Sequence, residues 1–208
     1  MKDNFIAQSF GKSQNYTDIP NQLYKEYNVK KGLRNEDGTG VRVGLTRVSD
    51  VVGYDLVDGV KTNVAGRLYY RGYDIVDIAA ARAKDAVGYE EVMFLLLFGF
   101  LPSKREFDNF NDILRDMYAL PNDFLEMNLL RMPAQNLMNK LQHAVLTLYN
   151  YDEDPDNVEV YSTLLKGLDI TAKLPSIMCY AYQSKMHYFN RESLVIHYPM
   201  KSYSIAEN

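Results

Sequence analysis

Tryptophan is absent from this chain of 208 residues, cysteine occurs once, and histidine occurs three times. A single thiol, Cys179, excludes an internal disulfide framework and any paired-cysteine metal site. It points to a reducing compartment, and a cytoplasmic location is expected. None of His143, His187 and His197 has a second histidine, cysteine or carboxylate at ligand spacing, so no metal site is predicted. An excess of positive charge is missing too: 23 basic residues face 27 acidic ones, for a net charge of −4. The two signs are interspersed, and nothing in them attracts a nucleic acid backbone. Long apolar runs are also lacking. The longest, Val92 to Phe98 and on through Gly99 to Leu101, is about half of the ~20 residues that span a bilayer, so no membrane segment is expected. Met1 to Phe10 contains Asp3 and has no apolar stretch, which does not read as a secretory signal.

What is present suits a folded domain. Hydrophobic residues make up 47% of the chain, enough for a real core, and 17 Tyr with 9 Phe favour packed helices with polar-tipped rings at their margins. Three regions follow from the pattern. Residues 1–31 read as a loose arm and a first helix, with start signals at Asp18 and Pro20, apolar positions at Leu23, Tyr24 and Tyr27, and stop signals at Lys30, Lys31 and Gly32. Residues 32–73 read as a small β segment in which glycines punctuate two or three short strands. Asp58-Gly59 is a hairpin signal there, and Leu68-Tyr69-Tyr70 is another brief strand.

Residues 74–208 read as helical. Asp74 is a candidate N-cap for a helix over Ile75 to Ala83. Glu90 to Phe98 is apolar nearly all round, which predicts a core helix. Ser103-Lys104-Arg105-Glu106 has the form of a capping box, and Phe107, Phe110, Leu114 and Met117 share the face that follows. Leu137, Leu141, Ala144, Val145 and Leu148 form the stripe of another helix, with Asn139, Lys140 and His143 expected on its solvent side. Tyr161, Leu164, Leu165 and Leu168 form the next stripe, and Pro175 is expected to start or kink an apolar helix through Ile177, Met178 and Tyr182. Ser204-Ile205-Ala206-Glu207 matches a second capping box, as expected of a helix continuing past Asn208.

Candidate chemistry is sparse. The three histidines lack a nearby nucleophile motif and read as structural. Gly32-Leu33-Arg34-Asn35-Glu36-Asp37-Gly38-Thr39-Gly40 presents either a turn before a hairpin or backbone amides and a guanidinium for an anion, and the turn is preferred. Arg71-Gly72-Tyr73-Asp74 either brings a cation to a cleft or joins a strand to a helix, and the joint is preferred. Glu90-Glu91 and Asp152 to Asp154 are expected in solvent or near helix ends.

Several segments in order resemble citrate synthases: Gly32-Leu33-Arg34-Asn35, a short β region, and Tyr70-Arg71-Gly72-Tyr73-Asp74-Ile75. Then come Glu91 to Pro102, Met132-Pro133, and Ala172-Lys173-Leu174-Pro175 with its apolar helix. The likeness spans about residues 32–208. It implies a mainly all-α fold, the helices of the citrate synthase large domain preceded by a short β-hairpin segment, and a homodimer for the complete enzyme. It also implies condensation of acetyl-CoA with oxaloacetate by general acid/base chemistry, with the CoA ester as substrate and no separate cofactor. The family's two catalytic histidines and its aspartate lie in motifs expected beyond Asn208, so no catalytic residue is assigned within the chain, and the chain alone is expected to be inactive. Arg34 aligns with a family contact to the CoA phosphates. The family's second such arginine would fall between Asp154 and Lys166, where this sequence has none. A 2-methylcitrate synthase and a non-catalytic helical binding or dimerisation module are the alternatives.

Overall fold

Glycine and proline punctuate the chain where the architecture changes. The computed structural model describes residues 20–27, 32–34, 40, 46–81 and 88–208. Two units divide between Thr46 and Arg47. In the first, α1 spans Asn21–Glu26 behind Pro20, with Tyr27 as its C-cap, and Arg34 pairs with Gly40 in an antiparallel bridge. The predicted signals at Asp18, Lys30 and Lys31 lie outside the described residues.

The second unit opens on an antiparallel sheet of order β1-β2-β3, comprising Ser49–Val57, Val60–Tyr70 and Tyr73–Asp74. Asp58 (φ 53°) and Gly59 (φ 78°) form its hairpin turn, the left-handed pair that matches the twist of flanking strands. The strands are longer than the glycine spacing suggests. Gly53 does not end β1 but sits where the register shifts between Val52 and Tyr54, and Gly66 lies inside β2. A bulge absorbs the first without stopping the ladder.

Asp74 then caps α2 (Ile75–Ala81), its Oδ1 accepting the Val76 amide at 2.9 Å. Helix α3 spans Gly88–Phe98 and ends at Gly99, whose φ of 90° supplies the left-handed residue that a helix exit requires. Helix α4 (Lys104–Asp116) begins in the predicted box: Ser103 Oγ accepts the Glu106 amide while Glu106 Oε2 takes the Ser103 amide at 2.8 Å. Between Pro121 and Pro133 the chain makes a π-helical turn over Leu125–Leu130 that sequence periodicity does not suggest. Its ladder includes Arg131 N to Glu126 O at 3.0 Å, and Ser184 Oγ donates to Leu129 O at 2.8 Å from outside.

Helix α5 (Leu137–Leu148) is capped by Asn136, and a short 3-10 turn, Tyr149–Tyr151, follows. Helix α6 is a single helix of 31 residues, Val160–Asn190, with Pro175 inside it. Proline therefore neither starts this helix nor divides it. Apolar contacts on both sides of residue 175 outweigh one missing amide.

Two apolar clusters share α6. One gathers Phe124, Leu125 and Leu129 with Ala144 and Leu148 of α5 and Ile177, Tyr180 and Ala181 of α6. The other gathers Phe94 of α3, Phe110 and Leu114 of α4, Tyr118, Ile205, and Leu168 and Ala172 of α6. Phe94 is ringed by Phe98, Phe100 and Phe110 at centroid distances of 4.6, 5.4 and 5.3 Å. The mainly helical class is as expected from the sequence, and no helix among the described residues is long and apolar enough to cross a membrane.

Candidate functional site

Arg34 lies exposed in the first unit, two residues after Gly32, whose φ is 72°. Gly38, which completes the glycine-rich pattern, lies outside the described residues.

Arg71 is a structural clasp. Its φ is 51°, unusual for a residue with a Cβ. Its Nε and Nη2 both donate to the Leu96 carbonyl, at 3.1 and 2.6 Å. This places a cation on the last turn of α3, where free carbonyls and the helix dipole favour it. Residues 71–74 thus do form the strand-to-helix joint preferred from sequence, and their cation is spent on the scaffold.

Three expectations are corrected. Glu90 and Glu91 stand in the first turn of α3, near a helix end as expected, but are buried and not in solvent, Glu90 to 1% exposure where the segment carrying Ile205 folds over it. Glu90 Oε1 accepts the Ile205 amide at 2.7 Å, and Oε2 is buried without a partner. Lys140 is buried as well, since it lies on the face of α5 that carries Leu137 and Ala144, and burial lowers its pKa. Tyr161 and Leu165 are exposed although their stripe predicts packing, Leu165 on the wall of an open concavity that Val145 and Leu148 also line.

The histidines sit apart. His143, His187 and His197 are all exposed. His187 Nδ1 contacts the Glu192 carbonyl at 2.7 Å, His143 offers its carbonyl to the Thr147 hydroxyl, and His197 offers its carbonyl to Tyr180. Among the described residues no group of three or more His, Cys, Asp or Glu forms a metal-binding cluster. Cys179 is exposed.

Other ionisable groups serve the scaffold. Lys166 gathers the carbonyls of Asp154, Pro155 and Asn157 and closes the acidic turn before α6. Tyr118 has its pKa raised by burial and by the charge of Glu90. Sequence reasoning missed both clusters. Only the tertiary fold brings residue 90 to 205, a separation at which no periodicity operates.

An almost wholly apolar groove of about 600 Å³ lies between α3 and the first half of α6, with Val92, Met93 and Leu96 facing Leu164, Gly167 and Leu168. It holds no acid and no base, so it offers packing or binding surface and no proton transfer.

This mainly helical scaffold with a leading hairpin is the fold of solved citrate synthases. The enzyme from Pyrobaculum aerophilum matches with a TM-score of 0.58 at 23% identity, over 82% of this chain and 41% of that chain. A ternary complex of carboxymethyl coenzyme A and oxaloacetate with the citrate synthase of Thermoplasma acidophilum matches at 0.55 and 20% identity, over 71% and 35% of the two chains. The family model "Citrate synthase, C-terminal domain" matches residues 34–208, and the chain belongs to the citrate synthase family. It is 38% identical over 154 residues to the citrate synthase of Haloferax volcanii, covering 72% of this chain and 35% of that protein. It is 31% identical over 120 residues to a 2-methylcitrate synthase of Shewanella oneidensis, covering 56% of this chain and 29% of that protein. The chain thus spans about a third of the length of these curated relatives.

Proposed function

We propose that this chain supplies the scaffold and one CoA contact of an enzyme that condenses acetyl-CoA with oxaloacetate to give citrate and CoA. The observation that carries this reading is the family match over residues 34–208 together with relatives named citrate synthase. In this reading Arg34 meets a phosphate of the CoA ester, a task suited to a planar guanidinium with several donors. The ester is a substrate, and the reaction takes no separate cofactor. The assembled enzyme is a homodimer.

The chain's own residues hold and orient, while proton removal from the acetyl methyl and polarisation of the ketone fall to groups outside it. Its exposed histidines, with no carboxylate partner among the described residues, fit that division. The match to a 2-methylcitrate synthase makes propionyl-CoA the second donor to be tried.

The test is thiol release from acetyl-CoA and from propionyl-CoA with oxaloacetate, using the 208-residue chain. No release above the uncatalysed background is expected with either donor. Turnover by the chain alone would refute the assignment of its residues to the scaffold. For Arg34, calorimetric titration with CoA compares the chain with its Arg34→Ala variant. Loss of one charge-assisted contact is expected to weaken binding by about 1.5–3 kcal/mol. Equal affinity would remove Arg34 from the site.

A further inference from the structure

Beyond Arg191, which ends α6 in the left-handed conformation, residues 192–203 form no helix and no strand. Such a segment has no ladder of its own, so whatever fixes it comes from elsewhere. It runs back along α6. Ile196 packs against the first apolar cluster and Ile205 enters the second, so one irregular segment touches both.

Point contacts fasten it. Tyr180 Oη donates to the His197 carbonyl at 2.7 Å, Tyr118 Oη to the Tyr203 carbonyl at 3.3 Å, and Lys201 pairs with Asp116. Its far end is knotted. Ser204 N donates to Glu207 Oε2 at 2.8 Å and Glu207 N to Ser204 Oγ at 3.3 Å. The Asn208 side chain meanwhile takes the Met200 amide at 2.7 Å and donates to the Met200 and Ser204 carbonyls.

Glu90 ties this knot to α3. A carboxylate at 1% exposure carries a large desolvation cost, and one of its oxygens has no partner. The bond recorded for its side chain goes to the Ile205 amide at 2.7 Å, 115 residues away. A leucine would fill the same space without that cost, so the charge is explained by the amide it accepts.

We propose that residues 192–208 form a latch that opens as a unit, with Glu90 as the catch and a positioning residue for the Ser204 turn. Opening uncovers Ile205 and the Tyr118 end of the second cluster and lifts Ile196 from the rim of the first, whose fully buried Phe124, Leu129 and Ile177 stay packed on one another. This inference is independent of the catalytic reading.

The test uses amide hydrogen exchange and limited trypsin digestion of the 208-residue chain. Glu90→Ala is expected to speed exchange at Ile205, Glu207 and Asn208 at least tenfold. Cleavage after Lys201 should rise by a like factor, while exchange at Ile177 and Tyr180 and cleavage after Lys61 stay within twofold. Unchanged exchange at Ile205 overturns the proposal. So does an equal increase at every site, which would mean that Glu90 supports the whole fold and not a separate unit. If the alanine variant does not fold, Glu90→Gln, which keeps an acceptor without charge, decides between the same outcomes with an expected selective increase of at least threefold.

Discussion

Replacing Arg71 by alanine removes two charge-assisted hydrogen bonds to the Leu96 carbonyl and a cation placed on the last turn of α3. Hydrogen bonds to a charged group contribute about 1.5–3 kcal/mol. Arg71 is half-buried and part of its charge is screened, so the lower end applies, and a loss of about 2 kcal/mol is expected for Arg71→Ala. A second variant separates backbone from side chain. At a φ of 51° any residue with a Cβ bears a cost of ~1 kcal/mol that glycine escapes. Arg71→Gly should therefore lose the same bonds yet end about 1 kcal/mol more stable than Arg71→Ala. Urea unfolding followed by far-UV circular dichroism measures both. The reasoning is refuted if Arg71→Ala changes stability by less than about 0.5 kcal/mol, the range of an ordinary surface substitution. It is refuted equally if the glycine variant is no more stable than the alanine one.

Leu114 is fully buried between α3 and α6, so Leu114→Ala should cost about 2–5 kcal/mol in the same unfolding assay, and a loss under about 1 kcal/mol would show that the second cluster collapses around the cavity. At the start of α4, hydrogen bonds from the Ser103 side chain and backbone hold Glu106 below the ordinary carboxylate pKa. A depressed folded pKa means that the box contributes stability above the unfolded carboxylate pKa and loses it as pH falls through the folded value. Ser103→Ala should move the Glu106 titration, followed by NMR, back up toward the ordinary range. An unmoved titration would assign the depression elsewhere.

Local signals in the sequence carry much of the fold. Asp58-Gly59, Asp74, Gly99 and Ser103 through Glu106 each act within a few residues, and each does in the structure what its chemistry dictates. Phe110 and Leu114 pack on the predicted face of α4 for the same reason. The failures share a different cause. Lys140 reads as a solvent residue by type, yet its helical phase puts it with Leu137 and Ala144. Pro175 reads as the start or a kink of a helix, yet the helix begins at Val160, and apolar contacts on either side of the proline carry it through. Glu90 reads as an acid in solvent or near a helix end, and it does stand in the first turn of α3, but a segment 115 residues away covers it. The π-helical turn leaves no periodic trace, because six residues are too few to establish a repeat. Of the candidate site, Arg34 was accessible to family resemblance alone, since no local physical signal separates it from a turn residue.

At ~1.5 Å per residue, α6 is a rod of about 46 Å that both cores grip, Leu168 and Ala172 on one side of Pro175 and Ile177 and Tyr180 on the other. Residue 175 has no amide to offer the Thr171 carbonyl, so the rod lacks one backbone bond near its middle. Ile170 ahead of that gap and Ile177 beyond it pack in the same first core, so side chains splint the rod where its own ladder is interrupted.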